Sequence, residues 1–289
     1  IFGLSVLIIF IFTEPPHGLS KIGWLTAGVA LLMTIWWITE AIPIYLTGII
    51  PLILFPIFNI FDLKLVASSY AHPLVLLFLG GFIIASAMEA CGLHKRIALN
   101  ILSLSGTSPS KIIAGFMIAT AFISMWVSNT ASTIMMLPIA VSVITIFSNQ
   151  PNIRNENFAI PLLLAIAYSA SIGGASTLIG TPTNIMLSSI LSDSYNYEIS
   201  FLDWLLIGLP VAIFLLPTVW FFLTNISFNV SKKKSNALER TIQEMRGEIG
   251  SPSFTEKIVA AVFFLTAAFW VLRRSLNEIF NLNLNDTSI

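Results

Sequence analysis

Charged side chains are scarce in this sequence: only 10% of its 289 residues are Asp, Glu, Lys or Arg. A soluble domain usually carries about 25% charged residues, so an ordinary water-soluble enzyme is excluded. Hydrophobic residues make up 56% of the chain, and its mean hydropathy is +0.89. This composition indicates an all-α, polytopic membrane protein embedded in a lipid bilayer. The net charge of zero gives no reason to expect a nucleic-acid partner.

Cysteine and histidine are almost absent as well. The single cysteine, Cys91, excludes an internal disulfide and a site built from several thiolates. The three histidines stand far apart, at His17, His72 and His94, which removes the commonest cluster of transition-metal ligands. The sequence therefore predicts neither a resident cofactor nor a transition-metal site.

Apolar stretches that reach or approach the length of a membrane span follow one another along the chain. They cover residues 1–12, 22–39, 42–61, 73–88, 111–127, 131–147, 158–192, 201–224 and 255–272. Prolines are expected to interrupt the third stretch, and the polar segment 229–254 is expected to be a cytoplasmic loop. With a cytoplasmic N-terminus, ten Lys and Arg residues fall in inside loops and four in outside loops, in agreement with the positive-inside rule.

One uncharged region predicts a hairpin whose tip stays inside the protein. From Ile112 to Ile153 there is no Asp, Glu, Lys or Arg, and two apolar arms within 111–147 are separated only by Ser128, Asn129 and Thr130. An aqueous turn normally contains charge, Gly or Pro. The neutral turn instead fits a re-entrant helical hairpin, because non-helical backbone is tolerated at membrane depth only where protein covers it or a cavity adjoins it.

A second uncharged region, 157–192, is too long for one transmembrane helix. At about 1.5 Å per residue it would exceed the bilayer core of about 30 Å. Its centre, 171–184, contains three glycines and Pro182 among hydroxyl side chains. These residues predict a broken transmembrane helix, and paired discontinuities of this kind mark transport sites. Close helix packing through the small residues is the alternative.

The polar residues of the hairpin suit both a cation and a carboxylate. Free carbonyl groups end the first arm and free N–H groups begin the second, with partial charges of opposite sign. Ser124 lies one helical turn before Ser128, so both hydroxyl oxygens can face a hard cation such as Na⁺. Asn129 can coordinate a cation and donate to an anion, and Thr130 can donate its hydroxyl proton. Capping of the second arm alone is the alternative for Ser128, Asn129 and Thr130.

Four stretches of the sequence form a pattern known from one transporter family. They are WWITEAIP (36–43), LFLGGFIIASAMEACGLHKRIAL (77–99), SMWVSNTASTIMMLP (124–138) and SIGGASTLIGTPTN (171–184). Together they resemble the divalent anion/sodium symporter family, whose members carry dicarboxylates, citrate or sulfate. The resemblance implies two inverted repeats, each with a hairpin bearing Ser-Asn-Thr at its tip. One such tip is present, at 128–130, so we expect the first repeat and the start of the second, as a piece of a longer protein.

The resemblance also implies roles for individual residues. The sodium ligands would be Ser124, Ser128, Asn129, Gly180, Thr181 and Pro182, the last three through backbone oxygens. A substrate carboxylate would contact Asn129 and Thr130. Thr183 stands where family members often have a second proline. Because no Lys or Arg in these segments can neutralise a dianion, bound Na⁺ is expected to supply the positive field as the coupling ion.

The implied organisation has four parts. Residues 1–105 would form scaffold and dimerisation helices, and 229–254 would form the cytoplasmic loop. The transport unit, 106–228, would contain the hairpin 111–147, the broken helix 157–192 and the helix 201–224. Residues 255–289 would begin the second repeat. The transport unit would slide as one body, in an elevator motion, within a homodimer in the cell (inner) membrane.

The predicted function is sodium-coupled transport of a small divalent anion, most simply a dicarboxylate such as succinate. A permease for sulfate or another oxyanion is one alternative, and a sodium-independent dicarboxylate exchanger is another. An intramembrane enzyme is disfavoured. It would need a buried Ser–His pair or two acids within the spans, and no histidine falls in the two uncharged regions.

Overall fold

The computed structural model describes residues 2–148, 156–232 and 236–289. Every regular element within these ranges is helical, which confirms the predicted all-α class. Contacts between residues divide the chain into two compact units, Ile1–Val75 and Leu76–Ile289.

Four helices build the first unit. They are α1 (Phe2–Phe12), α2 (Lys21–Thr39), α3 (Ile44–Ile57) and α4 (Leu63–Tyr70). The buried core joins side chains of the first three helices, namely Leu7, Val29, Leu32 and Ile50. The expected interruption of α3 is wrong, because Pro51 and Pro56 lie inside a continuous helix. Membrane helices tolerate proline where neighbouring groups satisfy the freed backbone.

Nine further helices follow within the described residues. They are α5 (Pro73–Cys91), α6 (Leu93–Ser105), α7 (Pro109–Ser124), α8 (Asn129–Ser148), α9 (Glu156–Ala175), α10 (Pro182–Tyr195), α11 (Phe201–Phe221), α12 (Asn236–Ile249) and α13 (Phe254–Phe280). A π-helical turn, Phe222–Ser227, extends α11. The break between α9 and α10 falls inside the predicted centre 171–184, and α13 runs to Phe280 rather than to 272.

Helices α6, α7, α8 and α9 share the main core of the second unit. Their buried side chains include Leu102, Phe116, Ala140 and Phe158. Helix α7 is buried along most of its length, and its most extensive packing is against α9. This packing brings the turn between α7 and α8 next to the end of α9.

Two ion pairs tie the ends of α13 to other helices of the second unit. At its start, Glu256 accepts two hydrogen bonds of 3.0 Å from Arg96 of α6. At its end, Arg274 donates to both carboxylate oxygens of Asp203, at 2.8 and 2.7 Å. Asp203 and Glu256 also complete the capping boxes that start α11 and α13, so each pair fixes a helix end as well as a contact.

Five helical segments of the described residues are long and apolar enough to cross a membrane. They are Lys21–Thr39, Leu63–Cys91, Phe158–Ala175, Phe201–Ser227 and Phe254–Phe280. Large apolar side chains lie exposed on them, for example Phe214 and Phe264. Extended apolar surface of this kind is what lipid chains cover. The chain is therefore an integral membrane protein, as its composition predicted.

Candidate functional site

The hairpin turn lies slightly earlier than the sequence predicted. Helix α7 ends at Ser124 and α8 begins at Asn129, so the turn is formed by residues 125–128. The Ser128 hydroxyl accepts a hydrogen bond of 3.3 Å from the backbone N–H of Ala131, which is the geometry of a helix N-cap. Asn129 and Thr130 therefore stand in the first turn of α8, with Thr130 exposed.

The last carbonyl groups of α9 are satisfied by side chains from elsewhere in the second unit. The Ser176 hydroxyl donates to Gly173 O at 2.5 Å, Asn184 Nδ2 to Gly174 O at 3.0 Å, and Trp204 Nε1 to Ala175 O at 3.0 Å. Asn184 also donates to Thr177 O at 2.7 Å. These bonds explain how the helix can stop inside an apolar segment, because orphan carbonyls buried away from water need partners.

Three oxygen atoms meet beside the hairpin turn. The hydroxyl oxygen of Ser124, which is fully buried, lies 2.8 Å from Asn129 Oδ1 and 2.7 Å from Ala170 O. A hydroxyl group has one proton, so it can donate to only one of these two acceptors at a time. The cluster is therefore rich in oxygen and poor in protons, which is the environment that a hard cation prefers.

Glycine is required around this cluster for close approach. A Cβ added to Gly174 would overlap Asn129 Oδ1, and a Cβ added to Gly180 would lie 2.5 Å from Gly174 O. A Cβ added to Gly173 would lie 2.6 Å from Cα of Ala121. None of the three glycines has a positive φ, so the requirement for glycine at these positions is steric. Through these three glycines the hairpin, the end of α9 and the break lie in direct contact.

The turn is embedded in protein on several sides. The Thr177 hydroxyl of the break donates to the carbonyl of Met125. The ring of Trp126 packs edge-on against Phe263 of α13, with centroids 4.7 Å apart, and lies 6.0 Å from the ring of Phe201 at the start of α11. The turn therefore contacts the break, α11 and α13.

The predicted site residues are brought together only in part. Ser124 and Asn129 are in direct contact. Gly180 packs against Gly174, which in turn packs against the side chain of Asn129. Thr181 is the N-cap residue of α10, with its hydroxyl 3.4 Å from that of Thr183. Pro182 is exposed as the first residue of α10. Within the described ranges, no hydrogen bond joins Thr181 or Pro182 to the Ser124–Asn129 pair.

Sequence reasoning missed three groups at this site: Asn184, the carbonyl of Ala170 and the α-carbon of Gly174 as a contact surface. Asn184 ends the motif at 171–184 and could have been singled out as the amide of that motif. Its partners, and those of Ala170 O, depend on how α7 packs on α9, and no local pattern reports that.

Formal charge is absent from the site. Between Ile112 and Ser192 the only charged residues are Arg154 and Glu156, and neither belongs to the turn or the break. The described residues contain no cluster of His, Cys, Asp or Glu that could hold a metal ion. The turn and the break therefore present neutral oxygen atoms, amide groups and backbone dipoles.

Comparison with known proteins identifies the family of the chain. A family model described as citrate transporter matches residues 34–285. The sodium-dependent dicarboxylate transporters SdcS of Staphylococcus aureus strains USA300 and NCTC 8325 / PS 47 are each 38% identical over 283 residues, covering 96% of this chain and 54% of each relative. The chain thus spans about half the length of these curated relatives, which are transporters and not enzymes. Because the family model covers most of the chain, the chain belongs to the citrate transporter family, and its resemblance to divalent anion/sodium symporters is confirmed.

Proposed function

We propose that the chain forms the first half of a sodium-coupled carrier of a small divalent anion, most simply a dicarboxylate such as succinate. The relatives at 38% identity bear the name of sodium-dependent dicarboxylate transporters. The matched region covers 54% of these relatives. Transport would therefore also require the part of the carrier that lies outside the matched region. One observation carries the proposal: the proton-poor meeting of Ser124 Oγ, Asn129 Oδ1 and Ala170 O.

A sodium ion would complete this oxygen cluster. Ser124 and Asn129 offer side-chain oxygens within 2.8 Å of each other, and Na⁺, like other hard cations, prefers oxygen ligands. The hydrogen bonds of the described residues leave the carbonyl oxygen of Gly180 without a donor, so it is available as a backbone ligand. Ser128 keeps its hydroxyl proton and one lone pair while it caps α8. Thr181 and Pro182 would contribute through the backbone at the start of α10.

The substrate carboxylate would bind at the start of α8. Free N–H groups in the first turn of a helix carry partial positive charge and favour anions. Asn129 and the exposed hydroxyl of Thr130 stand in that turn. No fixed cation neutralises a dianion here, so bound Na⁺ supplies the positive charge and the substrate binds well only after it. Coupling then follows from linkage, since each ligand raises the affinity for the other by the same factor.

A re-entrant position of the hairpin is supported by the length of its first arm. The 16 residues of α7 rise about 24 Å at 1.5 Å per residue, short of the bilayer core of about 30 Å. The contacts of Trp126 keep the turn inside protein, and the Arg96–Glu256 pair joins the helix after α5 to the start of α13. This junction supports a common, cytoplasmic side for both helix ends, with the N-terminus of the chain cytoplasmic in the cell (inner) membrane.

The proposed motion is an elevator movement of residues 106–228 against a dimeric scaffold of residues 1–105 and helix α13. Such a movement has a consequence at the far end of α13. Arg274 of α13 holds Asp203 of α11 at 2.7 Å. If α11 moves and α13 does not, this ion pair opens and closes once in every transport cycle.

The test is uptake of radiolabelled succinate by the transporter that contains this chain, in sodium or in choline. Asn129→Ala removes a cation ligand and a substrate contact, so it should abolish sodium-dependent uptake at normal expression. Ser142→Ala is the matched control, because Ser142 lies on the same helix and bonds only to Pro138 O. Normal uptake by the Asn129 variant would refute the site. Equal uptake in choline would favour a sodium-independent exchanger, and sulfate uptake without succinate uptake would favour an oxyanion permease.

A further inference from the structure

A charged cavity of about 280 Å³ lies between α6, α12 and the linker that leads into α13. Arg96, Asn100, Arg246 and Pro252 are among its lining residues. Binding pockets for whole drug-sized molecules occupy about 300–1,000 Å³, so this cavity is large enough for a small anionic head group. It is remote in sequence from the hairpin turn and the helix break, and the proposed transport cycle does not use it.

The cavity lies at the ends of two helical segments that are long and apolar enough to cross a membrane. Helix α5 has ended at Cys91 before α6 begins, and α13 starts at Phe254, directly after the linker that lines the cavity. Helix α6 buries one face, which includes Leu93, Ala98 and Leu102, and presents Lys95 on an exposed face. An amphipathic helix between the end of one span and the start of another belongs at the membrane boundary.

The two arginines of the cavity have different tasks. Arg96 is held within the protein: it donates to both oxygens of Glu256 at 3.0 Å, to Gly250 O at 2.8 Å and to Ile249 O at 3.4 Å. The charge of Arg96 is balanced by Glu256, and its side chain forms a fixed part of the cavity lining. Arg246 is exposed, and no carboxylate of the described residues pairs with it. Glu244 and Glu248 lie two positions away on α12 and so point to other faces of that helix.

We propose that this cavity binds the phosphate of an anionic phospholipid head group. The planar guanidinium of Arg246 can donate two parallel hydrogen bonds to phosphate oxygens, and the half-buried amide of Asn100 can donate a third. Basic pockets at the cytoplasmic ends of membrane helices are known to hold such head groups. A lipid bound here would hold α6, which leads into the hairpin, against α12 and the start of α13.

The binding test uses the purified transporter in neutral detergent, titrated with phosphatidylglycerol against phosphatidylcholine as the reference lipid. Arg246→Gln should weaken phosphatidylglycerol binding at least about fivefold, the effect of one basic residue near an anionic membrane surface. Asn100→Leu, which keeps the branching of the side chain and removes the amide, should weaken it as well. Lys95→Gln is the control, because Lys95 carries the same charge as Arg246, lies on the same helix as Asn100 and does not line the cavity.

Three outcomes would overturn the proposal. Unchanged binding in both Arg246→Gln and Asn100→Leu would show that the cavity holds no lipid. An equal loss in Lys95→Gln would show that only the overall surface charge matters. Displacement of the lipid by millimolar inorganic phosphate would identify a site for soluble phosphate instead. Arg246 is exposed, so its variant should fold, and the thermal unfolding midpoint of each variant verifies this.

Discussion

Replacing Gly174 by alanine tests the proposed sodium site sharply, because the change adds one methyl group and deletes no oxygen. The new Cβ would overlap Asn129 Oδ1 and lie 2.9 Å from Asn129 Cγ, whereas ordinary contacts begin at 3.4 Å. Cγ must therefore move by about 0.5 Å, and Oδ1 by more. Ligand distances at metal sites vary by only about 0.2 Å. Asn129 would leave its position beside Ser124, and the cation would lose a ligand.

Two magnitudes follow for Gly174→Ala. Loss of the Ser124–Asn129 contact should lower the free energy of unfolding by at most about 1 kcal/mol, because the Ser124 hydroxyl can still donate to Ala170 O. Displacement of the Asn129 oxygen should raise the sodium concentration for half-maximal uptake roughly 10- to 100-fold, the range found for changes beside metal ligands. The assay is a sodium titration of succinate uptake, normalised to folded protein in the membrane.

The control for this variant is the neighbouring glycine. A Cβ on Gly173 would lie 2.6 Å from Cα of Ala121, and a helix backbone cannot rotate away as a side chain can. Gly173→Ala should therefore push α7 from α9 and reduce the amount of folded protein, as overpacking does, whereas Gly174→Ala should leave that amount near the parent's. A Gly174→Ala transporter with the parent's sodium dependence at normal expression would refute the site.

Three further changes probe other parts of the proposal. Gly180→Val would place its new Cβ 2.5 Å from Gly174 O. This variant should raise the half-saturating sodium concentration or eliminate uptake, with membrane insertion retained. An unaltered sodium titration would remove Gly180 from the site. Thr130→Cys, with Cys91 replaced by serine, should resist an impermeant thiol reagent applied outside while the transporter faces inward; rapid labelling in every state would mean two ordinary spans. Burial raises the pKa of the Asp286 carboxyl, so the unfolded chain ionises at lower pH than the folded one. Wild-type stability should then decline relative to Asp286→Asn as pH rises above about 4, and parallel unfolding midpoints across pH would contradict this.

The spans of the fold were predictable because hydropathy alone reveals them. Helices α6 and α12 were harder, because each mixes charge with a buried face and neither is long enough to cross a bilayer. They are revealed by the helical period of their buried residues rather than by a high mean hydropathy. On α6 the buried residues on one face are Leu93, His94, Ala98, Leu99 and Leu102. The prolines of α3 misled in the opposite direction, since local propensity gave way to the membrane environment, where an unbroken helix satisfies the most backbone groups.

At the site, local residues were predictable and distant partners were not. Ser124 and Asn129 flank one turn, so their contact follows from the hairpin itself. The carbonyl of Ala170 lies 46 positions from Ser124, and Trp204 lies 29 positions from the carbonyl of Ala175 that it caps. These contacts depend on the packing of α9 against α7 and α11. Such packing is set by tertiary structure, which no motif within a single segment encodes.

Capping and packing, first considered as alternatives to binding, are compatible with the proposed site and set its geometry. Ser128 does cap α8, and that cap orients the turn so that Asn129 points back to Ser124. Gly174 does permit close packing, and the atom that it admits is the side-chain oxygen of Asn129. A larger residue at 174 would separate the hairpin from the break and leave each half of the proposed site incomplete. The small residues and the polar turn thus meet the same structural requirement: the helices must pack closely enough to bring the oxygen atoms of the proposed site together.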